Sequence, residues 1–368
     1  MTTARGRRTP PANNPTVAVT GASGAVGIPV LRRLVAADGV GKVYGIDLTR
    51  PPAAAQVHGV AWRTCDIRDP GLVQKLSGVG VVVHCAVDRS PEAEPADRHD
   101  RNVTGTRTVV TAAAAAGVRR VVLVTSATVY GAAPDNPVPL DEDAPLRAEP
   151  EGLPADLLEI EDIAAVSRAI HPGLDVIVLR PAALAGPGID TLVTRHFAAP
   201  RLLSVRDTEM RWQFCHVDDL AAAVEVAVLG RLDADSATVG CEGSLSQDEV
   251  AAVSGLRTIE VPATMAFATA ERLHRAGVVP SPASELAYVA YPWVVPSTRL
   301  RAAGWRPQHD NTTALQALLD AVEGERAIAG RRLGVRDATI AGAGAAGATV
   351  AVLGAAAFVR RARRLRGR

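Results

Sequence analysis

The stretch TVAVTGASGAVGIPVLRRLVAA, which begins at Thr16, limits the fold more than any other part of the chain. A short β-branched run enters a glycine-rich turn, and the turn enters apolar residues at helical spacing. Gly21 permits the tight turn, Gly24 lets the backbone come close to a bound group, and Gly27 allows close helix–strand packing. Ser23, Ala25 and Val26 complete the loop. The helix behind it presents about half a positive charge at its N-terminus, which suits a diphosphate.

Further Val/Ile-rich runs follow at KVYGID (42–47), VAWRTCDI (60–67), VGVVVHCAV (79–87), RRVVLVTSA (119–127) and LDVIVLRP (174–181). Helical segments separate them, among them NVTGTRTVVTAAAAAG (102–117), closed by Gly117. Near-continuous apolar strands alternating with helices predict an α/β fold with a doubly wound parallel sheet of the Rossmann type. Beyond residue 182 the alternation weakens, and a smaller substrate lobe is expected. The expected division is a disordered tail over 1–14, a dinucleotide-binding domain over 15–181, a substrate lobe over 182–325, a linker over 326–337, an apolar helix over 338–359 and a basic tail over 360–368.

With 368 residues, 48% of them apolar, the chain can bury a substantial core. Its net charge of +1 gives no basic field that calls for nucleic acid. Cys65, Cys85, Cys215 and Cys241 form no CxxC pair, so neither zinc nor a disulfide framework is expected. The opening MTTARGRRTPPANNP has no apolar core and does not read as a signal peptide, which predicts a cytoplasmic domain. ATIAGAGAAGATVAVLGAAAFV (338–359) is uncharged, and six Arg lie between Arg360 and Arg368. As a helix this run would span ~33 Å, enough for a bilayer core. Residues 338–368 are therefore expected to associate with a membrane, against the alternative of an Ala-rich helix packed on the domain.

Asp47 ends the second strand at the distance expected of an acid that meets the ribose hydroxyls, which favours NAD over NADP. Arg50 nearby keeps NADP open. Asp66 and Ile67 stand at the end of the third strand, where the adenine would lie; Asp69 reads as a helix cap.

In order along the chain, TGASGAVG, GID, CDIRD, VVVHCAV, NVTGTRTVVTAA, VVLVTSATVYG, VLRPAALAGPG, WQFCHVDDLAAAV and RAAGWRP resemble the extended short-chain dehydrogenase/reductases. That is the NAD-dependent epimerase/dehydratase group, which acts mostly on nucleotide sugars; the likeness runs from about Thr16 to Pro307. The resemblance implies that NAD is the cofactor and a small molecule the substrate. It implies that Cys85 and Ala86 pass beneath the cofactor after His84, and that Asn102 braces the helix supporting the site. Ser126 and Thr128 would sit over the nicotinamide and substrate, with Pro181 and Ala182 beside the nicotinamide. Arg211, His216 and Asp218 would face substrate phosphates, although HVDD also reads as a helix start and Ser126 as a strand-end cap. A homodimer through the helices after the fourth and fifth strands is implied as well.

One segment departs from the resemblance. LPADLLEIEDIAAV (153–166) reads as an amphipathic helix, with Leu157, Ile160, Ile163 and Ala164 apolar and Glu159, Glu161 and Asp162 polar. The family carries on this helix a proton-transferring Tyr and, four residues on, a Lys that lowers the phenol's pKa and holds the ribose. Here those positions are Leu153 and Leu157. No Tyr in the chain has a Lys four residues later, and Lys75 is the last Lys. Tyr130 is the one nearby phenol, either an alternative acid or a packing residue. Two functions stay open: an NAD-dependent oxidoreductase for a nucleotide sugar or similar polar alcohol, or an NAD(H)-binding sensor or scaffold without turnover.

Overall fold

The computed structural model describes residues 14–332. Its centre is a parallel sheet. The first six strands are β1 (Val17–Thr20), β2 (Val43–Asp47), β3 (Val60–Thr64), β4 (Val81–His84), β5 (Arg120–Val124) and β6 (Asp175–Pro181). The apolar runs of β1, β4 and β5 are buried because helices cover both faces. α1 (Gly27–Ala36) lies on one face; α2 (Leu72–Lys75), α3 (Pro95–His99), α4 (Gly105–Ala115) and α5 (Gly152–Ile170) lie on the other side of the chain's path.

A smaller lobe is built from β7 (Ala183–Ala185), α6 (Leu192–Ala198), β8 (Leu202–Val205), β9 (Arg211–Trp212) and β10 (Phe214–His216). β10 pairs with β7, so this part stays anchored at the end of β6. Phe197, Trp212 and Phe214 fill its interior with ring contacts.

The chain then returns. α7 (Val217–Val228) packs beside α1 and across the sheet, and β11 (Ser236–Val239) pairs parallel with β6. The sheet thus has seven strands in the order β3-β2-β1-β4-β5-β6-β11. The expected boundary at residue 181 does not divide the sheet cleanly, since its edge strand comes from beyond it. SATV is too short and too rich in hydroxyls to give an apolar-run signal. It is held by fully buried Thr238, whose Oγ1 donates to Glu142 at 2.9 Å.

β12 (Leu245–Ser246), α8 (Gln247–Ser254), β13 (Thr258–Val261), α9 (Ala263–Arg275), α10 (Thr298–Ala302) and α11 (Asn311–Arg332) complete the described chain. α11 runs on to Arg332, through the start of the expected linker. The expected tail over 1–14 falls outside the described residues except for Asn14, and the apolar run 338–359 and basic tail 360–368 fall wholly outside them. Among the described residues no helix is long and apolar enough to cross a membrane.

Candidate active site

The order β3-β2-β1-β4 reverses the direction of winding between β1 and β4. A crevice therefore opens outside the carboxyl ends of these strands. The glycine loop sits there. Gly21 has φ +68, and a Cβ on it would lie 2.6 Å from the Ala86 backbone. A Cβ on Gly27 would lie 2.2 Å from the Gly21 carbonyl. Gly24 is exposed on the crevice, and a Cβ on it would meet only the Gly21 carbonyl, at 3.3 Å.

At the outer end, Gly21, Asp47, Asp66, Ile67, Cys85 and Ala86 line one depression. The Asp47 carboxylate accepts the Ser23 N–H at 2.9 Å and the Leu48 N–H at 2.7 Å. It ties the glycine loop to β2 and keeps further lone pairs open to a donor in the crevice. Asp66 is bonded to Arg68 through both oxygens, at 2.7 and 3.0 Å, and that hydrogen bond holds its carboxyl below the usual range. Ile67 packs where a Cβ on Gly105 would fall, 2.5 Å away.

The crevice continues past Gly24, Ala25, Val26 and Cys85 to Asp88 and Arg89, under the loop Gly188–Thr191. Burial pushes the Cys85 thiol to about 12, so it is no nucleophile. Arg89 donates to the carbonyls of Val87, Val124 and Thr125 at 2.8–3.2 Å. Its Nε is buried with no hydrogen-bond partner among the described residues. Burial lowers its guanidinium to about 10, which leaves it cationic at neutral pH.

Arg89 also borders the inner chamber, together with Ser126, Thr128, Leu153, Glu285 and Tyr288. Leu184, Leu192, Val193 and Trp293 make much of the remaining wall apolar. Ser126 Oγ accepts the Thr128 N–H at 3.2 Å, so it does cap a turn, yet it still faces the chamber. Thr128 Oγ1 is buried without a partner among the described residues. Leu153 lies on the chamber wall and Leu157 is fully buried below it.

Several expected site residues are placed elsewhere. Tyr130 is buried with its hydroxyl committed: it donates to the Glu142 carbonyl and accepts from Arg180, both at 2.8 Å. It is a packing residue outside the chamber. Asn102 accepts the Asp88 N–H at 2.7 Å and donates to Asp156 at 3.1 Å, bracing β4's loop against α5 from behind the crevice. Pro181 contributes its carbonyl to Ser126 at 3.4 Å, while Ala182 reaches the chamber wall. Arg211 is exposed on the separate β9–β12 pair. His216 caps α7, accepting the Asp218 N–H at 3.2 Å, and its ring stacks on His309 at 3.8 Å. Asp218 is exposed beside it. HVDD is thus a helix start, and none of these three lines the crevice.

Arg89, Glu285, Tyr288 and Trp293 were not singled out from the sequence. Arg89 comes two residues after an expected strand, which is a usable signal. The other three lie in a segment with no motif and reach the chamber only through tertiary packing.

A model of the NAD dependent epimerase/dehydratase family matches residues 17–237, more than half of the chain. The chain belongs to that family. NAD is its cofactor, in keeping with the bare Gly24 backbone and the Asp47 carboxylate at the far end of one crevice. An uncharacterized protein of Mycobacterium tuberculosis is 29% identical over 302 residues, 79% of this chain and 80% of its own length. A 3-diazoavenalumate denitrifying reductase of a Streptomyces species is 30% identical over 321 residues, 80% of this chain and 96% of its own. Among solved structures, the Thermus thermophilus UDP-glucose 4-epimerase in complex with NAD aligns with a TM-score of 0.62 at 22% identity, covering 84% of this chain and 99% of that one. This last likeness is one of fold.

Proposed function

We propose that this family member is an NAD-dependent oxidoreductase that exchanges a hydride with a hydroxyl-bearing carbon of a small molecule, a nucleotide sugar or a similarly polar alcohol. One observation carries the reading. Asp47, the glycine loop, Arg89, and the pair Ser126 and Thr128 border successive parts of one crevice. Asp47 would accept from the adenosine ribose diol, and the amides around Gly24 would meet the diphosphate. Bound there, NAD supplies a hydride acceptor. Ser126 and the unpartnered Thr128 hydroxyl would then hold the reacting oxygen. The apolar wall of Leu184, Leu192, Val193 and Trp293 would exclude water from the transfer.

The family match supports the oxidoreductase class, and the Thermus relative's name supports a sugar nucleotide. Calorimetric titration should give NAD tighter than NADP. A panel of nucleotide sugars incubated with the NAD-loaded protein should yield turnover with at least one. Clear NAD binding with no turnover anywhere in the panel would defeat the reading.

Leu153 and Leu157 favour a second reading, an NAD(H)-holding sensor or scaffold that has lost proton transfer. Under it the wild type is inactive, and Leu153→Tyr with Leu157→Lys creates activity. Robust wild-type turnover would exclude it.

A further inference from the structure

The helix position where the family resemblance expects a phenol is Leu153, and a carboxyl group from a distant part of the chain bonds the backbone of that same residue and lines the same chamber. Glu285 lies in the turn Ala283–Val289. Its Oε1 accepts the Leu153 N–H at 2.9 Å, across 132 residues of sequence. The seat is cut for it. Gly152 has φ +64, and a Cβ there would fall 2.1 Å from Glu285 Oε1. The side chain is only 6% exposed, and it lines the chamber that holds Ser126 and Thr128.

We propose that Glu285 is the acid–base residue of this site and takes over the role of the missing phenol. The proposal rests on the oxidoreductase reading above. In the oxidation direction, the substrate's C–H bond breaks and the hydride passes to NAD. The hydroxyl O–H bond breaks and its proton passes to the Glu285 carboxylate. The carbon–oxygen bond becomes a carbonyl, and the carboxyl returns the proton in the reverse reaction.

The surroundings suit the task. Burial pushes the carboxyl above its usual range, and Asp156 on α5 adds to the rise. The Leu153 N–H, the Ser281 hydroxyl and Arg98 on α3 oppose it. A carboxyl raised in this way holds its proton more readily, which suits a group that must both take and return one. The other polar groups of the chamber fit less well. Tyr288 donates its hydroxyl to the Thr128 carbonyl at 2.8 Å, and burial with Glu285 and Glu149 raises its pKa further. Arg89 stays cationic and has no proton to exchange near neutrality.

Glu285→Gln keeps an acceptor for the Leu153 N–H, so NAD affinity and melting temperature serve as controls for folding. Its kcat should fall on the order of 10²–10⁴-fold with little change in KM. The limb of the pH profile that belongs to this carboxyl should vanish, and Glu285→Asp should restore part of both. A carboxyl that only caps α5 would leave kcat and the pH profile in place, and that result would overturn the proposal. Carbon NMR of glutamate-labelled, NAD-bound protein tests it without any substrate. The resonance lost in Glu285→Gln should titrate above the ordinary carboxylate range, and titration within that range overturns the proposal whatever the activity. A wild type that binds NAD and turns over none of the panel defeats the oxidoreductase reading instead, and the NMR titration then separates the two failures.

Discussion

At the scale of single residues, the cofactor end depends on carboxylate and glycine geometry. Asp47 fixes the glycine loop through Ser23, and under the proposed reading it also accepts from a ribose diol. Hydrogen bonds to a charged group contribute about 1.5–3 kcal/mol. Asp47→Ala should therefore weaken NAD by roughly tenfold or more by the same principle. NADP should lose less, because the carboxylate that repels its 2′-phosphate goes too. Titrations of both nucleotides check this, and an unchanged ratio would remove Asp47 from the ribose site. Gly21→Ala should be more severe. The new Cβ would stand 2.6 Å from the Ala86 backbone at a positive φ, and neither neighbour is a flexible side-chain tip. Loss of NAD binding or of soluble folded protein is the expected result.

At the scale of elements, α5 shows both what sequence pattern reveals and what it hides. Leu157, Ile160 and Ala164 are buried as their spacing predicts, and Glu159 and Asp162 are exposed. Glu161 breaks the pattern. It is buried and bonded to Arg180 through both oxygens at 2.9 Å, with Thr125 at 3.1 Å. Removing one partner of such a pair strands a buried charge at a cost of about 3–5 kcal/mol. Glu161→Ala should lower the urea midpoint accordingly, while Glu161→Leu with Arg180→Met should recover much of the loss. Equal losses in the single and double variants would show that the pair is not coupled. Periodicity assigns a face to a helix but cannot see that β6 presents an Arg to that face. The same limit separates the legible part of the site from the rest. The glycine loop and Asp47 are local, readable signals, because strand, turn and helix are contiguous. Ser126 and Thr128, expected from the family resemblance, line the chamber. Glu285 meets Leu153 only after the chain has crossed into the small lobe and returned, and no local pattern marks it. Arg211, His216 and Asp218 show the converse: a stretch matched to a family need not point its side chains at the cleft.

For the molecule as a whole, buried imidazoles make stability depend on acid. His84 is fully buried between Thr20 on β1 and Thr106 on α4, at 2.7 and 3.0 Å, and burial lowers it to about 3. His196 is buried in the small lobe against Phe197 and Trp212, with neither ring nitrogen partnered among the described residues, and burial lowers it to about 4. Both titrate near 6.5 once the chain unfolds. Below that pH the unfolded state binds protons that the folded state refuses, so stability falls as the solution is acidified. Each contribution levels off only below the folded pKa. The loss approaches about 1.4 kcal/mol per pH unit for each imidazole, or about 4 kcal/mol for the pair at pH 5. His196→Phe keeps an aromatic ring in the cluster and deletes two unpaired nitrogens, so it should be neutral or mildly stabilising at pH 7.5. At pH 5 it should recover about 2 kcal/mol, because one of the two sites no longer draws protons into the unfolded state. Urea melts of wild type and variant at both pH values measure this difference with the other titrating groups held in common. Parallel losses in the two proteins would mean that His196 accepts its proton inside the fold, and that the small lobe admits water to the Phe197–Trp212 cluster.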